Sequence, residues 1–193
     1  MTLIFDESET LSVVSELFSK EFEVSFSTKL IGGADEPLYL PKNRPGGFSL
    51  LKFRSDFVSS ALHEISHWCI AGERRRKLKD FGYWYCPDGR SEVEQEAFEL
   101  VEVRPQALEW MFSIACNHSF SISLDNLAMK GHGFDSCNFL QAVTQQIIDW
   151  CSSDNMPPRG LQFLNALSFY FHTNPRSIDC LLYTSPSPRD SDS

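Results

Sequence analysis

Residues 59–72, SSALHEISHWCIAG, place two histidines four apart with a glutamate directly after the first: His63, Glu64 and His67. No other feature constrains the chain as much. On an α-helix, residues i and i+4 share a face one turn apart. Both imidazoles can therefore point at a single ion, roughly 2.0–2.1 Å from each nitrogen if that ion is zinc. Glu64 is rotated by about 100° from His63 and belongs beside such an ion rather than on it. The H-E-x-x-H spacing within an amphipathic segment predicts a metal-bearing helix over 57–71, with Asp56 as N-cap and Gly72 as the left-handed residue that ends it.

Two imidazoles need a third ligand, and the acidic helix predicted downstream offers Glu92, Glu94, Glu96, Glu99 and Glu102. Most of these fit a solvated face. Glu102 differs, because Val101 and Val103 flank it and Pro105 and Ala107 follow; a charge among apolar neighbours on a core helix needs a buried partner. Its spacing to Ala107 also resembles the glutamate helix of small H-E-x-x-H metalloproteins of the minigluzincin type. Glu102 is therefore the expected ligand, with Glu99, one turn earlier, as the runner-up. Two histidines and a carboxylate leave coordination positions open and support two chemistries. With zinc, Glu64 would act as general base on a bound water in a peptidase; with Fe(II) the set is a facial triad that activates dioxygen.

The rest of the chain frames this site. Leu11, Val14, Leu17 and Phe18 form a helical stripe over 8–20, capped by Ser8 or Thr10. Residues 22–31 read as a strand with Phe22, Val24 and Phe26 on one side, stopped by Gly32-Gly33. Residues 36–41 form a short extended piece between prolines, and 48–53 a further short strand. Residues 91–113 read as a long helix with a capping box at Ser91 and Glu94; Pro105 should kink or split it. Two more helices are expected near 136–151 and 158–172. There is no internal repeat and no linker. The fold class is α+β: one mainly helical domain, residues 1–179, with a small sheet on its N-terminal side.

The segment CLLYTSPSPRDSDS at 180–193 is out of character with the rest. It is rich in Ser and Pro, lacks periodicity, and its first part resembles an in-frame translation of a sequencing adapter. It is expected to lie outside the fold. The N-terminus shows no basic segment followed by an apolar core, and no apolar run reaches the ~18–20 residues that span a bilayer; a cytoplasmic protein with no membrane partner is expected. A net charge of −9 argues against nucleic-acid binding. The exception is the run Glu73-Arg74-Arg75-Arg76-Lys77, which reads either as a solvated helix end or as a docking patch for an acidic protein. The six cysteines contain no CxxC pair and read as reduced, mostly buried thiols.

The loop 78–90 links the two ligand helices and so must pass near the metal. Tyr83, Tyr85, Asp88 and Arg90 are its candidate substrate contacts. Trp68 reads as core, and Asp35-Glu36 as a turn. His118, His132 and His172 read as loop or helix-end residues rather than ligands.

Taken together, ADEPLYLP at 34–41, ALHEISHWCIAG at 61–72, DFGYWYCPDGR at 80–90, FELVEVRPQALEW at 98–110 and the His-Thr pair at 172–173 resemble the bacterial elongation factor P hydroxylases. The resemblance covers most of residues 11–175, more loosely at 42–55 and 114–160. It implies a metal-dependent protein-lysine hydroxylase that acts on the β-lysylated lysine of elongation factor P. Carried onto this chain, the ligands would be His63, His67 and Glu102, the metal Fe(II) and the oxidant dioxygen. The H-x-D…H pattern of 2-oxoglutarate oxygenases is absent, so 2-oxoglutarate is not implied.

Overall fold

A computed structural model describes residues 6–82, 91–123 and 136–176. Helix α1 spans Glu7–Phe18. Its cap is Asp6 rather than Ser8 or Thr10: the Asp6 carboxylate accepts from the Glu9 amide at 2.8 Å, and Glu9 reaches back to the Asp6 amide at 3.1 Å. This reciprocal box satisfies two otherwise orphaned donors. Thr10, an expected cap, is instead buried.

The chain does not turn to strand at residue 22. It stays helical through a π-turn, Ser19–Glu23, and a last α-turn, α2 (Val24–Phe26), until Ser27 turns left-handed at φ 49°. The alternation of Phe22, Val24 and Phe26 fits two periods, and tertiary packing chooses the helical one. Phe22 and Phe26 lie 4.9 and 5.5 Å from the Trp68 ring, whereas Val24 is 92% exposed.

Strand β1 (Thr28–Ala34) then runs parallel to β3 (Ser49–Arg54), and β2 (Leu38–Leu40) pairs antiparallel on its other side, giving the order β1-β3-β2. Gly32 and Gly33 do not end β1; they lie at a register shift between Ile31 and Ala34. A Cβ on Gly32 would sit 2.7 Å from the Phe53 ring, so the close approach there requires glycine. Ser49, Leu51 and Phe53 alternate inward on β3 and are buried.

Helix α3 (Val58–Ile70) packs on this sheet and on α4 (Glu92–Ala115). Its start differs from expectation, since Asp56 does not cap it. The Val58 amide donates instead to Glu7 Oε1 of α1 at 2.8 Å. Its end differs too. Gly72 is not left-handed; Ala71 leaves the helix at φ −57°, ψ 120°. The freed carbonyls are taken by side chains. Arg159 Nη2 donates to the carbonyls of Trp68, Cys69 and Ala71 at 2.8, 3.0 and 2.6 Å, and Arg76 Nη1 to that of Ala71 at 2.7 Å. Cations at a helix C-terminus complement its dipole, so no glycine is required.

Helix α4 carries the expected Ser91–Glu94 capping box and continues through Pro105 without splitting. Helices α5 (Ser136–Ser152) and α6 (Pro158–Phe171) complete the described fold. The core gathers Phe18, Phe22, Trp68, Phe112 and Phe163, all fully or almost fully buried. Of the cysteines, Cys69 and Cys116 are buried, Cys151 is half-buried and Cys137 is exposed; none of these four is in a disulfide. Among the described residues no helix is long and apolar enough to cross a membrane.

Candidate metal centre

Helix geometry brings the two imidazoles together, as their spacing requires. The His63 and His67 rings are 4.7 Å apart between centroids, with Nε2 to Nε2 at 3.1 Å. Helix α4 crosses opposite and presents Glu102. Its Oε1 lies 3.2 Å from His67 Nε2 and its Oε2 3.7 Å from His63 Nε2. The runner-up, Glu99, is not in this cluster; it accepts a hydrogen bond from Gln95 Nε2 at 3.1 Å. Tyr83, Tyr85, Asp88, Arg90 and His132 lie outside the described residues, as does the segment 180–193. His118 is half-buried beside Glu7 at 3.6 Å, and His172 is the exposed left-handed residue that ends α6; neither joins the cluster.

These residues fit a divalent metal ion. The three offered donors lie within 4.8 Å of one another. Two nitrogens about 2.1 Å from one ion and roughly 90–110° apart are separated by roughly 3.0–3.4 Å, and the observed 3.1 Å falls in that range. The Glu102 carboxylate is 2% exposed, and its Oε2 has no hydrogen-bond partner among the described residues. A buried carboxylate oxygen without a partner is costly unless something positive meets it. Burial alone would raise the Glu102 pKa. The charge and hydrogen bond of His67, the charge of His63 and the Gln106 amide outweigh it and hold the carboxyl at about 2.

Sequence reasoning missed Glu109. It is buried two turns beyond Glu102 on the same face of α4, and its Oε2 lies 2.8 Å from His63 Nδ1. The argument that singled out Glu102 applies equally here, because Glu109 sits between Leu108 and Trp110. A carboxylate on the far nitrogen of a ligand histidine fixes the ring orientation and keeps the proton on Nδ1, leaving the Nε2 lone pair for the metal. Burial opposes charge on His63. The Glu109 hydrogen bond and the charges of Glu109, Glu102 and Glu64 overcome it and raise the imidazole to about 10.

The linkage has a definite sign. With a folded pKa above the unfolded value, the stability His63 contributes to the metal-free chain is full below pH ~6.5 and is lost as pH rises through ~10. An incoming ion must also displace the Nε2 proton. We expect affinity for Co(II), followed optically as a probe, to rise about tenfold per pH unit between pH 7 and 9. Affinity that does not change with pH would contradict a protonated His63. In the same titration Glu109→Ala is expected to weaken binding about 10–100-fold.

Glu64 lies beside the cluster and is partly open to solvent. Burial pushes its carboxyl up, against the pull of His63 and His67 and with the support of Glu102 and Asp80. Asp80 lies in a left-handed turn formed by Asp80, Phe81 and Gly82. Its Oδ1 accepts from the Tyr39 amide at 2.8 Å, and Phe81 stacks on the Tyr39 ring at 4.3 Å.

Residues 17–180 match the family model described as EpmC: Elongation factor P hydroxylase. A curated protein of Haemophilus influenzae, the elongation factor P lysine hydroxylase, is 44% identical over 163 residues, covering 84% of this chain and 90% of the relative.

Proposed function

The chain belongs to the elongation factor P hydroxylase family, and from that premise we propose that it hydroxylates the β-lysylated lysine of elongation factor P at a centre held by His63, His67 and Glu102. The observation that carries the site is the buried Glu102 carboxylate, whose Oε1 lies 3.2 Å from His67 Nε2 and whose Oε2, without a hydrogen bond among the described residues, lies 3.7 Å from His63 Nε2. Fe(II) is the proposed metal, since a two-histidine, one-carboxylate set with open positions suits it. When bound, it supplies the electron-transfer chemistry by which dioxygen oxidises an unactivated C–H bond. Overall, one oxygen atom enters the lysine C–H bond and the other leaves as water, with a two-electron donor supplying the balance.

The protein's own residues do the rest. Glu109 keeps the His63 ring turned and its Nδ1 protonated. Glu102 supplies a fixed negative charge that the interior does not neutralise by protonation. Glu64 and Asp80 add acidic character beside the centre, which suits an entering cationic side chain. The zinc peptidase reading shares this ligand set, but the family name favours oxidation. In that chemistry Glu64 has no obligatory proton to abstract from water. We also take residues 1–179 as the catalytic domain; the family match, which stops at residue 180, supports that boundary.

The deciding experiment is the mass of the modified lysine peptide of elongation factor P, co-expressed with this protein in cells lacking their own hydroxylase. A gain of one oxygen atom is expected, and equally from the chain ended at residue 179. Folded, iron-loaded protein that adds no oxygen would end the hydroxylase reading.

A further inference from the structure

The acidic chain carries one concentrated basic turn. Residues 73–80 hold five cations, Arg74, Arg75, Arg76, Lys77 and Lys79, against two acids, while the whole chain is net −9. The turn starts immediately beyond α3, the helix that carries both histidines, and ends at Asp80, whose charge reaches Glu64 beside the centre. Its backbone is fixed from several sides. Arg76 Nη1 is spent on the Ala71 carbonyl, the Arg76 carbonyl accepts from the Tyr39 hydroxyl at 2.8 Å, and Arg75 Nη1 donates to the Phe81 carbonyl at 3.2 Å.

Arg74, Arg75, Lys77 and Lys79 are nonetheless exposed. Among the described residues Lys77 pairs only with solvent-exposed Glu73, at 2.9 Å, and such pairs contribute little. The side chains of Arg74 and Lys79 make no hydrogen bond or ion pair among the described residues. Fold stability therefore does not explain the charges of Arg74, Lys77 and Lys79, and the turn, fixed by Arg75, Arg76 and Tyr39, holds them at low ordering cost for a partner.

We infer that this basic turn is the docking surface for an acidic face of the protein substrate, next to the point where its lysine side chain enters. The inference rests on the proposed function, which supplies a protein as the substrate. Charge decides the kind of partner. The modified lysine is cationic and is repelled by the turn, so it passes to the acidic centre while an anionic surface flanking it engages the arginines and lysines. A nucleic acid, being a long polyanion, would meet the acidity of the rest of the chain; a folded protein presents a local anionic patch that matches a local basic one.

The test is the affinity of the iron-loaded chain, held without dioxygen, for β-lysylated elongation factor P by fluorescence anisotropy. Arg74→Glu/Lys79→Glu, which breaks no contact seen here, is expected to weaken binding at least about tenfold. Wild-type affinity should fall as salt rises from about 50 to 300 mM, and that of the variant should fall less. With oxygen admitted, KM should rise and kcat stay within about twofold, since neither residue touches the centre. An affinity and salt response within twofold of wild type would overturn the inference, as would absent binding by the wild type or tight RNA binding lost in the variant. Failure of the hydroxylase reading looks different: the factor binds in a salt-dependent way but gains no oxygen.

Discussion

His67→Ala is expected to fold, lose its metal and lower hydroxylation of elongation factor P by at least on the order of a thousandfold, equivalent to about 4 kcal/mol of transition-state stabilisation. His67 Nε2 lies 3.2 Å from the Glu102 carboxylate, closer than His63 Nε2 at 3.7 Å, and sits 3.1 Å from His63 Nε2. Removing it takes away one of the three proposed ligands and leaves a single histidine with one carboxylate. The fold should survive, because the truncation faces the polar centre and not the aromatic core. The main structural cost falls on Glu102, which keeps its burial but loses its closest partner, about 1–3 kcal/mol. The checks are iron content per chain, circular dichroism and the oxygen gained by the lysine peptide. Iron content and turnover within threefold of wild type would remove His67 from the site.

Trp68→Ala should have the largest effect on stability. Trp68 follows His67 but points the other way. It is fully buried, with Phe18, Phe22 and Phe26 at 5.4, 4.9 and 5.5 Å and the Arg159 guanidinium 4.7 Å above its ring. Truncating a buried Trp costs about 3–5 kcal/mol in lost transfer energy and cavity formation. Part of this is offset, because the buried Trp68 Nε1 has no hydrogen-bond partner among the described residues and its removal relieves about 1 kcal/mol. The net is about 2–4 kcal/mol, or roughly 4–16 °C in melting temperature for a chain of this size. Trp68→Phe keeps most of the packing and drops the unpartnered donor, so it should cost under about 1.5 kcal/mol. Calorimetry on both variants checks the pair. A Trp68→Ala shift under about 2 °C would mean the ring is not the keystone its packing indicates.

The two variants separate what could be read along the chain from what could not. The helix that aligns His63 with His67, the Ser91–Glu94 capping box and the meeting of Glu102, not Glu99, with the two histidines were legible in the sequence. Each depends on spacing within a few residues, or on one charge set among apolar neighbours. Glu109, set between Leu108 and Trp110, was legible by that same rule as a charge in need of a buried partner. Its role was not legible, since it acts on His63 across 46 residues of chain.

Other features were decided only when the elements packed. The segment 22–26 has a pattern that serves either period, and the Trp68 ring selects the helix. The ends of α3 were expected to be capped locally by Asp56 and Gly72. Glu7 and Arg159 cap them instead, 51 residues before Val58 and 88 after Ala71. A helix terminus needs its orphan groups satisfied, and the sequence states that need but not the supplier. Local periodicity thus determined that this chain carries two histidines on one helical face with a buried glutamate to meet them. Tertiary structure alone decided the distances among them, the carboxylate behind His63 and the guanidinium that holds the end of their helix, because hydrogen bonds and charges act through space and are indifferent to separation along the chain.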